Sequence, residues 1–313
     1  MSRAFVFPGQ GSQAVGMGKD LAQAFASARE VFEEIDDALS LKLSQIMFEG
    51  PAETLTLTEN AQPALMAVSL AVIRILAREA DYDIANKVAY VAGHSLGEYS
   101  ALAAAQALPI STTATLLRTR GQAMQKAVPV GQGAMAALLG LELGAATEVA
   151  QIASENEVCD VANDNAPGQI VVSGHKGAIE RAVEIAKTKG AKRSILLPVS
   201  APFHCRLMAP AADTMGEALA QTVIAPVAAP LIANVTASAV ESPNDIRRLL
   251  VEQITGRVRW RESVIAMKAQ GVDQLVECGA GRVLTGLTKR IDPDLAAVSL
   301  QTPADIESFI KGV

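Results

Sequence analysis

Aromatic side chains are scarce: one tryptophan, three tyrosines and seven phenylalanines among 313 residues. The 50% apolar content therefore rests on alanine, leucine and valine, a composition suited to helices and short aliphatic strands. Basic tails and runs are missing, and the formal net charge is −6 with a sequence pI near 5.3, which excludes the usual nucleic-acid-binding footprint. No apolar stretch approaches the ~20 residues of a membrane span. The opening Met1-Ser2-Arg3-Ala4-Phe5-Val6-Phe7-Pro8-Gly9 is too short in its apolar part for a signal peptide. Cysteines number three, Cys159, Cys205 and Cys278. They are odd in count and far apart, so they form neither a zinc pattern nor a disulfide framework. Reduced thiols in a cytoplasmic protein are expected, with no metal and no resident cofactor. Internal repeats and low-complexity tracts are also lacking.

What is present is ample apolar chain for one large domain or two smaller ones. Residues 4–7 read as a short buried strand. Periodic apolar positions predict one helix over 17–39 and another over 61–80, with Pro63 in its first turn. A strand is expected over 88–92 and a helix from 111, capped by Ser111, to 127. The middle reads as strand 134–141, helix 145–154, strands 158–162 and 169–173 joined by the turn-rich Asn163-Asp164-Asn165-Ala166-Pro167-Gly168, helix 178–189 and strand 192–197. That β-α-β-β-α-β order is the ferredoxin-like pattern, bracketed by Pro129 to Gly133 and by Pro198 with Pro202. Such punctuation points to a small domain, 129–198, inserted into a larger one, 1–128 with 199–313. The larger part resumes with helices over 207–219, 245–253 and 263–269 and strands over 231–235, 273–277 and 296–300. Alternating strands and helices imply a mainly parallel sheet covered on both faces. The expected fold is α/β, an α/β-hydrolase-like large domain with an inserted ferredoxin-like domain.

The reason for that description is Gly93-His94-Ser95-Leu96-Gly97. It follows the apolar run 88–92 and precedes an alanine-rich segment. Strand, G-x-S-x-G, helix is the nucleophile elbow, a tight turn that lifts a serine hydroxyl clear of the sheet. A serine hydroxyl needs a base, and there are three histidines to choose from. His94 adjoins Ser95, where side chains on a tight turn diverge. His175 opens a helix of the inserted domain. His204 lies where the chain re-enters the large domain and is the favoured base. Cys205, with no elbow around it, is a poor rival nucleophile.

Arg120 shares one helical face with Leu116, Leu117 and Met124, so it should point inward. A buried guanidinium needs an anionic partner. Either an internal carboxylate or a substrate carboxylate, held by the bidentate fork that arginine offers, would serve. The loop Pro8-Gly9-Gln10-Gly11-Ser12-Gln13 leaves backbone N–H groups free, as an oxyanion hole requires. Gly9-x-Gly11-x-x-Ala14 also fits the looser dinucleotide fingerprint. That motif needs a second strand and an acidic residue ~20 positions on, where residues 28–39 read as helix.

Taken together, Phe5 to Gln13, Gly93 to Glu98, Arg120-Gly121, Gly133-Ala134-Met135, Asn163 with Asn165, and Phe203-His204 resemble the malonyl-CoA:acyl carrier protein transacylases of bacterial fatty-acid synthesis. The likeness spans nearly the whole chain. It implies that Ser95 attacks the thioester of malonyl-CoA while His204 takes its proton. It also implies that the backbone N–H groups of Gln10 and Leu96 hold the oxyanion and that Arg120 pairs with the malonyl carboxylate. The thiol of holo acyl carrier protein would then collect the malonyl group, in ping-pong order. Phe203 resembles the bulky residue that related domains place against an acyl group without an α-methyl, and Asn165 is a substrate-side candidate. The family often has a glutamine, which helps orient the histidine, in the stretch matching Val258-Arg259-Trp260. Here Arg259 stands there, and an arginine side chain cannot accept a hydrogen bond from an imidazole. Its own carbonyl, Asn163 or Asn165 could do so instead.

Two other readings compete. A serine hydrolase such as a thioesterase shares the elbow but places an acidic residue between serine and histidine in sequence, where Asp160 and Asp164 lie. A non-catalytic carrier-docking module would have no need of Ser95, His204 and Arg120 together. Carrier docking calls for a basic patch, with Arg257-Arg259-Arg261, Lys187-Lys189-Lys192-Arg193 and Lys289-Arg290 as candidates. A malonyltransferase of polyketide synthesis fits the same residues, and a monomer is expected.

Overall fold

The computed structural model describes residues 1–312. Among these residues ten strands form two sheets. They are β1 Arg3–Phe7, β2 Tyr90–Gly93, β3 Gly133–Leu139, β4 Cys159–Ala166, β5 Gln169–His175, β6 Arg193–Leu196, β7 Leu231–Ile232, β8 Ala239–Val240, β9 Gln274–Cys278 and β10 Ala296–Leu300. The larger sheet has the order β10-β9-β1-β2-β7-β8. It is parallel throughout except for the antiparallel β7–β8 edge. The smaller sheet has the order β4-β5-β3-β6 and is antiparallel. The fold is thus mixed α/β with one mostly parallel and one small antiparallel sheet.

A parallel sheet must be covered on both faces, and it is. One face carries Phe5, Phe7 and Val91 into the main apolar cluster. The other buries Ala4, Val6, Ala92 and Leu275 against Trp260 and Leu284. The small sheet has its own core, with Leu138, Ile170 and Val172 packed beneath Val149 and Ile179 of helices Leu143–Ser154 and Lys176–Thr188.

Register positions the site. Phe7 is level with Gly93, and Ala92 with Ile232. The loops leaving β1, β2 and β7 therefore emerge side by side at the carboxyl ends of parallel strands, where α/β sheets place their ligands. The small sheet is tied to this edge. Asp164 N–H donates to the Val258 carbonyl at 2.9 Å, and Arg261 pairs with the Asp164 carboxylate at 2.9 Å.

Several local expectations change. The helix expected over 17–39 is two, Lys19–Ala24 and Ala26–Leu39, broken at an extended Phe25. Each piece keeps its own buried face, so apolar periodicity alone cannot see the break. The helix expected from 61 starts at Thr58 and leaves Pro63 inside it. The missing Pro63 N–H costs one helical bond, offset by burial of Asn60, Ala61 and Gln62 in the extra turn. Pro109, not Ser111, caps helix Ile110–Ala127. The link expected over 163–168 is mostly strand: β4 runs to Ala166, with register shifts after Val161 and Asp164, and only Pro167-Gly168 turns. Helices Leu43–Glu49, Ala52–Thr56 and Pro303–Lys311 were not foreseen. Helix Thr58–Glu79 is long and apolar enough by composition to cross a membrane, but most of it is buried inside the protein. The expectation that no stretch reaches that length therefore fails on a core helix.

Candidate active site

Ser95 sits between β2 and helix Gly97–Ala104 with φ +55°, a region a non-glycine residue adopts only when its surroundings enforce it. The enforcement is visible. A Cβ on Gly93 would lie 1.9 Å from the Gly97 carbonyl, and one on Gly97 would lie 2.2 Å from the Phe7 carbonyl oxygen. Only hydrogen fits at either place, so both glycines of G-x-S-x-G are required by contact.

Ser95 Oγ is 2.7 Å from His204 Nε2. His204 also holds a left-handed φ, +58°. Its Nδ1 is 2.9 Å from the main-chain carbonyl of Gln253. A carbonyl only accepts, so the proton is on Nδ1, and Nε2 is left to accept from the serine hydroxyl. Gln253 lies in the last turn of helix Pro243–Thr255, where carbonyls lack helical partners. Burial, then the nearby Arg120 charge, pushes the His204 imidazole down to about 3, so it is a neutral base at neutral pH.

Arg120 is 1% exposed. Its Nη1 donates to Gln62 Oε1 at 2.9 Å, and its Nη2 donates to Gln253 Oε1 at 2.8 Å and to Ser95 Oγ at 3.1 Å. All three acceptors are neutral. Burial lowers its pKa, while Tyr99 and then Glu98 work the other way. Of the two partners open to it from sequence, an internal carboxylate makes no direct contact with Arg120 among the described residues.

These groups line a cavity of about 450 Å³ between the two sheets, together with Gln10, Leu96, Asn163, Asn165 and Phe203. The backbone N–H groups of Gln10 and Leu96 donate to no other protein group among the described residues. Phe203 is buried and forms part of the wall. Asn165 Oδ1 accepts from His94 Nε2 at 2.8 Å, so His94 is turned to the inserted segment and away from the serine hydroxyl. His175 accepts the Val158 N–H on Nδ1 at 2.9 Å, remote from Ser95.

A model of the acyl transferase domain matches residues 4–290. The chain belongs to the acyl transferase domain family. The malonyl CoA-acyl carrier protein transacylase of Bacillus subtilis (strain 168) is 45% identical over 309 residues, covering 98% of this chain and 96% of its own. An acyl-carrier-protein-S-malonyltransferase from Bartonella henselae superposes with a TM-score of 0.98 at 55% identity, covering 100% of both chains. A malonyl-transacylase in complex with its type II PKS acyl-carrier protein gives 0.97 at 40%, again over 100% of both.

This acyltransferase brings Ser95, His204, Gln10, Leu96, Arg120, Phe203 and Asn165 to one cavity. The group against His204 Nδ1 is Gln253, six positions before Arg259, and not Asn163 or Asn165. Arg259 instead pairs with Glu262. Sequence reasoning missed four residues: Gln253, Gln62, Asn234 and the internal role of Glu98. Asn234, two residues past β7, accepts Ser95 N–H on Oδ1 at 2.8 Å and donates from Nδ2 to the Gly93 carbonyl at 2.7 Å, clamping the elbow. A polar residue just beyond a strand level with β2 was the available signal. The hydrolase reading loses its acids: Asp160 pairs with Arg206 and Asp164 with Arg261. Part of two candidate basic patches is paired with acidic side chains, while Lys192, Arg193, Lys289 and Arg290 face no carboxylate among the described residues. Arg257 and Arg259 face Glu262, Arg261 faces Asp164 and Glu142, Lys187 faces Glu184, and Lys189 faces Glu148.

Proposed function

We propose that this acyltransferase moves a malonyl group from malonyl-CoA to the phosphopantetheine thiol of acyl carrier protein through a malonyl ester on Ser95. The observation that carries the reading is Arg120: a buried cation beside the nucleophile whose direct partners are all neutral. A substrate carboxylate completes it, whereas an acetyl or simple fatty acyl group leaves it without an anion.

Ser95 Oγ attacks the thioester carbonyl as its proton passes to His204 Nε2. The N–H groups of Gln10 and Leu96 hold the oxyanion. The tetrahedral adduct collapses, the C–S bond breaks, and the CoA sulfur leaves with the proton from His204. In the second half the carrier thiol gives its proton to His204 and attacks the ester. The Ser95–acyl bond breaks and Ser95 Oγ recovers the proton. The order is ping-pong. Phe203 closes the wall where an α-methyl would project, and Asn165 lines the substrate side of the cavity. The relatives named above and the carrier complex support both substrates, for either fatty-acid or polyketide extender supply.

We read the parallel sheet and its helices, 1–128 with 199–313, as an α/β-hydrolase-like domain, and 129–198 as an inserted ferredoxin-like domain. The order β4-β5-β3-β6 supports the latter. Three free cysteines fit a reducing cytoplasm, and a monomer is the simplest assembly.

The test is intact mass after brief mixing with malonyl-CoA. Wild type should gain one malonyl group, shed it to holo carrier protein and lose it slowly to water, while Ser95→Ala gains nothing. An adduct hydrolysed as fast as it forms points to a thioesterase, and no adduct in wild type ends the reading.

A further inference from the structure

Beneath Ser95 lies a carboxyl group that the proposed reaction does not use. Glu98, in the first turn of helix Gly97–Ala104, is 1% exposed. Its Oε2 accepts the Asn234 N–H at 3.1 Å and the Gln253 Nε2–H at 3.0 Å. Those are the two residues that hold the elbow and the base. Gln253 is fully buried and touches each reacting group. Its carbonyl takes the His204 Nδ1–H, its Oε1 takes the Arg120 Nη2–H, and its Nε2 also donates to the Ser95 carbonyl at 2.8 Å.

A primary amide has two ends of nearly equal size and opposite hydrogen-bonding sense. Here only one orientation satisfies its neighbours. Turned over, its NH₂ would face the guanidinium of Arg120, which has donors and no acceptor, and its oxygen would face two acceptors, the Ser95 carbonyl and Glu98. Glu98 is the side-chain acceptor of the two, and its Oε2 is itself fixed by the Asn234 N–H, so it offers the amide NH₂ a held partner.

We propose that Glu98 is a positioning residue: it locks the Gln253 amide with its oxygen toward Arg120, and thereby sets the guanidinium that receives the substrate carboxylate. The inference rests on the reading of Arg120 as the malonyl anchor. It assigns the Glu98 of the elbow a part in acyl-group selection that Ser95 and His204 do not share. The main-chain carbonyl that orients His204 belongs to the same residue but does not turn with the amide, so basicity and selection are separately supported.

The experiment uses the full chain and single-turnover acyl-enzyme formation, read by intact mass, with malonyl-CoA and acetyl-CoA as paired probes. Glu98→Leu should lower the malonyl-to-acetyl rate ratio about tenfold, the scale of one buried hydrogen bond, with the loss in KM for malonyl-CoA. Glu98→Gln, which still offers an oxygen acceptor, should restore most of the lost ratio. Gln253→Met removes the amide and keeps the carbonyl for His204, so it should reproduce the Glu98→Leu ratio and serves where that variant does not fold. A folded Glu98→Leu or Gln253→Met with the wild-type ratio overturns the inference, and so does an equal loss with both probes. A wild type that shows no preference for malonyl overturns the reading of Arg120 itself, before any variant is made.

Discussion

Replacing Arg120 by methionine separates acyl recognition from acyl chemistry. Arg120 is the only charged side chain among the described residues lining the 450 Å³ cavity, since burial keeps both histidines there neutral. In the variant a bound malonyl carboxylate has no cation. Breaking a buried pair by removing one partner costs about 3–5 kcal/mol, and each 1.4 kcal/mol is roughly tenfold. The cavity opens to solvent on one side, so water takes up part of the charge and the lower end applies. kcat/KM for malonyl-CoA should fall roughly 10²-fold or somewhat more. The acetyl reaction needs no carboxylate anchor. The lost bonds to Gln62 and Gln253 weigh on both thioesters alike; beyond them the acetyl reaction loses only the 3.1 Å bond from Nη2 to Ser95 Oγ and should stay within about tenfold. Rates of acyl-enzyme formation with the two thioesters, measured by rapid quench and intact mass, give both numbers from one preparation. Equal losses for malonyl and acetyl would show that Arg120 acts on the serine or on the fold, and the carboxylate argument would be refuted.

Two further outcomes follow from the elbow and its base. The His204 imidazole binds its proton near 6.5 in the unfolded chain and near 3 in the native state. Between those values the unfolded state holds more protons, so this group's contribution makes stability fall as pH falls. Denaturant unfolding of wild type and His204→Gln at pH 6.5 and pH 5 should show wild type losing about 1.6 kcal/mol relative to the variant, the limiting 1.36 kcal/mol per unit being halved where the unfolded imidazole is half protonated, and parallel pH curves would contradict the depressed imidazole. Gly93→Ala forces a methyl to within 1.9 Å of the Gly97 carbonyl and should cost about 3 kcal/mol or more. Gly286→Ala, at an exposed position of helix Val283–Ile291 with open space around it, should gain about 0.5–1 kcal/mol. Melting curves of the two variants side by side check that contrast.

The parts of the site that could be read from sequence are those encoded by neighbours in the chain. The strand–turn–helix context of Ser95 and the helical face of Arg120 are local, and both side chains stand where spacing places them. His204 emerged because two other histidines had poor settings. Gln253, Asn234 and Gln62 were invisible for the opposite reason. Each reaches the site from a distant segment, and nothing near it in sequence marks it. Gln253 contributes through a main-chain carbonyl freed by a helix end, a property of position and not of residue type. The same holds for the fold. Period-2 and period-3.6 patterns located most elements, but Phe25 interrupts a helix without interrupting its apolar stripe. Asn163, Asp164 and Asn165 look like turn residues and lie in a strand because the adjoining segment, through Val258 and Arg261, supplies the partners that a free loop would seek in water.

The bond from His204 Nδ1 to a neutral carbonyl bears on which nucleophile can release the acyl group. A carboxylate in that place would stabilise the imidazolium that forms when His204 accepts a proton. A dipole does so less, and it leaves burial and the Arg120 charge to hold the imidazole a weak base. Deprotonating water, with a pKa of about 15.7, asks far more of such a base than deprotonating a thiol, with a pKa of about 8.5. On the proposed reaction, a base of this strength is matched to sulfur. On that reaction the acyl-enzyme can wait in the presence of water and still discharge when a carrier thiol arrives, because the buried imidazole is too weak a base for water.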